Sequence, residues 1–122
     1  MDDFCKNLRT IRYILGWTAD ALGEVLELSP TTITNMECNG KISKTYYYSM
    51  LFVLDCTLPY FDKKTQDLVR TLANKDIPDS EKKPIRDAVA EVVHHMNKNK
   101  GVEAISKAIR QSPLYQKEVV TI

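Results

Sequence analysis

Residues 31–35 of this 122-residue chain hold four short hydrogen-bonding side chains: Thr31, Thr32, Thr34 and Asn35. Such groups suit flat polar edges. Asn can bond bidentately to adenine in the DNA major groove, and Thr can offer a methyl to thymine or a hydroxyl to a base edge. Thr31, Thr32 and Asn35 are therefore the candidate base contacts, and Thr34 is read as a solvated residue. Arg9, Thr18, Lys41 and Lys44 are the candidates for holding phosphates, contacts that fix position without reading sequence. The alternative for all four is an ordinary solvated surface.

Two short helices must position these groups. Thr18 is a suitable N-cap for a helix striped by Ala21, Leu22, Val25 and Leu26. Ser29 caps the next, with Pro30 in its first turn, where a missing N–H costs nothing. Ile33 and Met36 give the second helix its inward side, which leaves the threonines and Asn35 outward. Gly40 fits its C-terminus. Caps and periodicity alone also permit a plain αα-hairpin with a polar outer face.

Helical spacing continues through the chain. Phe4, Leu8, Ile11 and Leu15 mark a first helix ending near Gly16. Tyr46, Met50, Val53 and Leu54 mark a fourth, capped by Ser43 or Thr45, and Pro59 closes it. Of the cluster Tyr46-Tyr47-Tyr48, one or two are expected to pack in the core, and it is read first as structure. Asp62 caps a fifth helix carrying Leu68, Val69 and Leu72. Residues 74–79 form a polar linker, after which Ser80 opens an amphipathic helix striped by Ile85, Ala88, Val89, Val92 and Met96. Asn97 to Gly101 interrupt it, Val102, Ile105 and Ile109 mark one more helix, and Pro113 ends that. The tail from Leu114 reads as a strand-like or irregular arm. With 43% hydrophobic residues and only four glycines, an all-α protein is expected. No run of about 18 apolar residues suggests a membrane span. Three cysteines in no ligand-like spacing, and an acidic start without a basic leader region, lead us to expect reduced thiols in a cytoplasm.

The stretch from Leu8 to about Thr57 resembles the Xre/Cro-type helix-turn-helix family, the DNA-binding domain of phage lambda and 434 repressors. Placing the recognition-helix isoleucine at Ile33 puts Arg12 and Glu37 where family members carry an ion pair. It also puts Leu15-Gly16 at the end of helix 1, Leu22 on the core side of helix 2, and Gly40 after the recognition helix. The resemblance implies a five-helix repressor-like domain over residues 1–76, a helical extension over 77–122, and a DNA-binding transcription regulator of repressor type. Departures are specific. Ala19 replaces the usual Gln of helix 2, Gly23 replaces a mid-helix Ala, and Glu27 replaces the turn Gly, which suggests another turn conformation. The connection after Glu37 is one residue longer.

Charge is unevenly shared. Residues 1–58 hold five basic and seven acidic side chains, and residues 59–122 hold 12 and nine. An acidic reading head is unusual, because phosphate neutralisation supplies most non-specific DNA affinity. Helix N-termini and the cancelling of Arg12 by Glu37 soften the conflict. The alternative is a helix-turn-helix scaffold that binds a protein partner as an inhibitor or antagonist.

No enzyme, cofactor or metal is expected. Glu91 and His95 have metal-ligand spacing, with His94 adjacent, but no third or fourth ligand is evident and paired His on an exposed helix flank are usually bland. The stripe Ile85, Val89, Val92 and Met96 is expected to form a homodimer interface that presents two recognition helices to an inverted-repeat operator of double-stranded DNA. The alternative is that this helix folds back on the first half.

Overall fold

Phe4, Leu8, Ile11 and Leu15 recur every three or four residues, and the chain winds there into helix α1 (Asp2–Leu15). In the computed structural model, which describes residues 2–96 and 101–116, these four side chains are buried. Gly16 stops the helix at φ +78°, and the Trp17 N–H closes its end on the Arg12 carbonyl at 2.9 Å. A left-handed residue at that position frees the backbone to turn back on itself.

Helix α2 (Ala19–Leu26) starts where the Thr18 hydroxyl accepts the Ala21 N–H at 3.0 Å. Helix α3 (Pro30–Asn39) starts where the Ser29 hydroxyl accepts the Thr32 N–H at 3.1 Å. Each cap satisfies an N–H that the helix itself leaves without an acceptor. The turn between them corrects the expectation raised by Glu27. Its backbone takes the left-handed conformation, φ 59° and ψ 39°, that glycine adopts without strain. The Leu28 N–H then reaches the Gly23 carbonyl at 2.7 Å, and the Glu27 N–H reaches that of Glu24 at 3.4 Å. Together these bonds form a Schellman closure. Gly23 is what admits it, since a Cβ there would run into the Leu28 carbonyl oxygen.

Four further helices and a short final turn follow. Ser43, rather than Thr45, caps α4 (Lys44–Thr57), and a 3₁₀ turn (Leu58–Tyr60) continues it past Pro59. Asp62 caps α5 (Lys63–Ala73). Helix α6 (Asp79–His95) begins one residue before Ser80. It precedes α7 (Val102–Arg110) and the turn-length α8 (Pro113–Gln116). The expected irregular arm is thus helical over Pro113–Gln116, and its remainder, like residues 97–100, lies outside the described residues. Every regular element among the described residues is helical, and no helix is long and apolar enough to cross a membrane.

Helix α1 is the centre, touched by α3, α5, α6 and α7. Three polar ties hold it. Asn7 Nδ2 donates to the Leu72 carbonyl at 3.3 Å, Arg86 Nη1 donates to Asn7 Oδ1 at 2.8 Å, and Ser106 Oγ donates to the Ile14 carbonyl at 2.9 Å. Arg86 also grips Asp79 through two bonds, at 2.7 and 3.0 Å, and holds that carboxyl down to about 2. Hydrogen bonding to the ionised form is the main cause.

This packing overturns the expected dimer interface. Ile85 is 8% exposed and Val89 2%, both within the chain's own core. Val92 and Met96 pack partly buried against the same cluster. The helix also stops at His95, leaving Met96 in extended backbone. An amphipathic stripe reports only that a face is covered, and α1 and α7 lie against α6. The division between residues 76 and 77 accordingly runs through one core, because Ile85, Val89, Ile105 and Ile109 join the cluster built on α1.

Ending the chain after Asp79 removes those four side chains, each worth roughly 1.5–3 kcal/mol when buried. The sum is on the scale of a whole domain's stability, about 5–15 kcal/mol. The truncated chain should lose its cooperative thermal transition in far-UV circular dichroism. A sharp melt would show that residues 1–79 fold alone. At the α2–α3 turn, Glu27→Gly should stabilise by about 1 kcal/mol through relief of left-handed strain. Gly23→Ala should destabilise, and the opposite signs in denaturant titration would contradict the turn geometry.

Candidate nucleic-acid interface

The outward side of α3 is set by its inward side. Ile33 and Met36 are buried, so Thr31 and Asn35 are left exposed and Thr32 half-buried. The Thr32 hydroxyl lies 2.8 Å from that of Ser29 and so belongs partly to the cap. Thr34 turns back on its own helix, its hydroxyl donating to the Thr31 and Pro30 carbonyls at 3.0 and 3.2 Å. Thr31 and Asn35 are therefore the two candidate base contacts that these local bonds leave outward.

What fixes α3 in place is a guanidinium. Arg12 Nε donates to Glu37 Oε2 at 2.6 Å, and Nη2 donates to Oε1 at 3.0 Å. The third arm, Nη1, donates to the Trp17 carbonyl at 3.1 Å. One side chain of α1 thus holds both the end of α3 and the entry to α2. The fork geometry matches a carboxylate in both spacing and plane, as an ammonium could not. The Glu37 side chain is only 1% exposed and that of Arg12 only 9%.

Arg9 joins the same carboxylate. Its Nε donates to Glu37 Oε1 at 3.4 Å, and Nη2 reaches Cys38 Sγ at 3.7 Å. Partial burial disfavours its charge, but Glu37 and Cys38 together outweigh this and raise its pKa. Two guanidiniums on one carboxylate leave a net positive charge beside the C-terminal half of α3. Sequence reading paired only Arg12 with Glu37. The i, i+3 spacing of Arg9 and Arg12, which puts both on one face of α1, was the signal for the second partner.

The other phosphate candidates lie on the loops and helix ends. Lys41 is exposed after Gly40, and Lys44 is the exposed first residue of α4. Thr18 is exposed too, with its hydroxyl engaged as the cap of α2. Opposing them, Asp20, Glu24 and Glu27 are exposed on and after α2, and no Lys or Arg occurs between Tyr13 and Gly40. The local field is therefore divided rather than uniformly basic.

Chemistry at other places is sparse. His95 Nε2 lies 3.1 Å from Glu91 Oε1 with both side chains well exposed. Among the described residues no three His, Cys, Asp or Glu side chains gather as a metal site would require. The chain matches no protein family model, no curated protein and no solved structure.

Arg12→Ala strands Glu37 in the interior, and removing one partner of a buried pair typically costs about 3–5 kcal/mol. The expected result is a large fall in melting temperature. The double change Arg12→Met with Glu37→Leu should be much milder. An Arg12→Ala protein that melts with the parent would show that the pair contributes nothing to holding α3.

Proposed function

We propose that the chain is a DNA-binding transcription regulator of repressor type, in which α1 to α5 act as a repressor-like helix-turn-helix domain and α3 reads the major groove. One observation carries this reading. Helix α3 offers Thr31 and Asn35 to solvent while Arg12 clamps it at Glu37, near its C-terminal end. A reading helix needs both properties, since base edges lie at the floor of a groove about 8.5 Å deep and tolerate little misplacement. Lys41, Lys44 and Arg9 supply the backbone contacts, with the N–H groups of helix N-termini adding donors that need no net charge. Because the α6 stripe is covered within the chain, each chain brings one α3 to DNA, and pairing on an inverted repeat requires an interface other than that stripe.

A second reading, a helix-turn-helix scaffold that binds another protein as an inhibitor or antagonist, is favoured by the lack of any Lys or Arg from Ile14 to Asn39.

Selection from randomised duplexes, followed by gel shift on the enriched sequence, tests the first reading. Asn35→Ala should cost roughly 1–3 kcal/mol there and relax preference at one base pair. Lys44→Ala should weaken all duplexes alike and flatten the salt dependence. The slope itself should be shallow, corresponding to about three to five phosphates per chain. Failure to enrich any sequence, or an Asn35→Ala protein with unaltered preference, would overturn the assignment of α3 to base reading.

A further inference from the structure

Helices α2 and α4 leave a groove between them that the core does not fill. Its volume is about 330 Å³, with Trp17, Ala21 and Val25 on one wall and Phe52, Val53 and Cys56 on the other. Val25 is 62% exposed and Phe52 69%, although both are large apolar residues on otherwise well-packed helices. Tyr48, one turn before Phe52, is 60% exposed and extends the apolar surface along α4. Single exposed apolar residues are ordinary, but a contiguous set lining a concavity marks a contact surface.

The charges around it select the occupant. Asp20 and Glu24 are exposed on α2, whereas Asp55 on α4 is paired with Arg70 at 3.4 Å and is not part of the groove lining. Neither helix carries a Lys or Arg beyond Lys44, the first residue of α4. The charge left beside the groove is thus the acidic pair on α2. A second copy docking by the same face would bring the Asp20 and Glu24 acids of two chains onto one interface, and juxtaposed like charges oppose association. A partner whose apolar residues are bordered by cations meets no such conflict. Because two helices form the walls, the natural insert is a third helix laying its apolar side between them.

We propose that the α2–α4 groove is a docking site for a basic amphipathic helix of a partner protein, with apolar residues at i, i+3 or i+4, and i+7, and Lys or Arg on the flank that meets α2. The site is independent of whether α3 reads DNA. Apolar contact with Phe52 and Val25 gives the affinity, and the acids Asp20 and Glu24 set the sign of the partner.

The full chain provides its own probe, because Trp17 is the only tryptophan and lies in the groove. Two peptides of about 18 residues, roughly five turns, would share one helical pattern of Leu. One carries Lys at every polar position and the other Glu. The Leu/Lys peptide should shift Trp17 emission and saturate, with the Leu/Glu peptide at least tenfold weaker. Phe52→Ala should reduce Leu/Lys affinity at least tenfold while leaving the melting temperature unchanged, as befits an exposed side chain. Asp20→Lys with Glu24→Lys should narrow or reverse the preference between the peptides. Equal binding of both peptides, no binding of either, or Leu/Lys binding indifferent to Phe52→Ala would overturn the proposal. So would a protein-concentration-dependent Trp17 shift without peptide, matched by dimer sedimentation and abolished by Phe52→Ala, since a second copy would then fill the groove.

Discussion

The orientation of α3 depends on the pairing of Arg12 with Glu37. Without it, α3 would be held mainly by Ile33 and Met36, with Arg9 at its exposed rim, and two buried apolar side chains resist separation but only weakly resist rotation about the helix axis. The guanidinium adds direction. Its plane fixes the carboxylate, and its third arm fixes the Trp17 carbonyl at the entry to α2. Both helices of the pair are thereby referred to α1. The constraint has a cost, because a charge pair taken out of water is not a cheap source of stability, and apolar residues of similar volume often do as well. Its contribution here is angular, which apolar packing supplies poorly.

Around that constraint the molecule is organised by a division between backing and display. α5, α6 and α7 cover α1 from sides that α3 does not use. The polar ties from Asn7, Arg86 and Ser106 lock that backing to the helix that carries Arg12. The outward faces of α2, α3 and the N-terminal end of α4 remain for contact. Two kinds of surface share this side of the chain: short polar side chains on α3, and an apolar groove between α2 and α4 with Asp20 and Glu24 exposed on its α2 helix. They differ enough in chemistry that one ligand class cannot satisfy both.

Local signals were legible in the sequence. Thr18, Ser29 and Asp62 were readable as caps because a cap is chosen by residues within one turn of it. The pairing of Arg12 with Glu37 came through resemblance and not from spacing, since a separation of 25 positions carries no periodic signature. Glu27 shows the converse. Its residue type argues against the left-handed turn that it adopts, and the reason lies in Gly23 and Leu28, whose close approach is a property of the folded loop. The α6 stripe was read correctly as a covered face, but the identity of the cover is a tertiary fact. Lys82 illustrates the limit further. It stands on that same stripe, three residues before Ile85, and is buried, although its side chain type and its neighbour Lys83 both suggest solvent. The groove was invisible for a similar reason, as Val25 and Phe52 are unremarkable until the gap between their helices is known.

The tie between Ser106 and the Ile14 carbonyl has a consequence for how the chain comes into being. These residues are 92 positions apart. Ribosomes add about 5–20 residues per second, so α7 follows α1 by several seconds at least, whereas an isolated helix forms in under about a microsecond. The clamp between Arg12 and Glu37 closes over a far shorter span and is available much earlier. A nascent chain therefore passes through a stage in which the display side is assembled while the rear of α1, with Thr10 and Ile14, still lacks its cover. That interval is when the protein is most exposed to aggregation and most dependent on whatever shields apolar surface at the exit tunnel, and lengthening the connection between α5 and α6 would prolong it without touching a residue of the folded core.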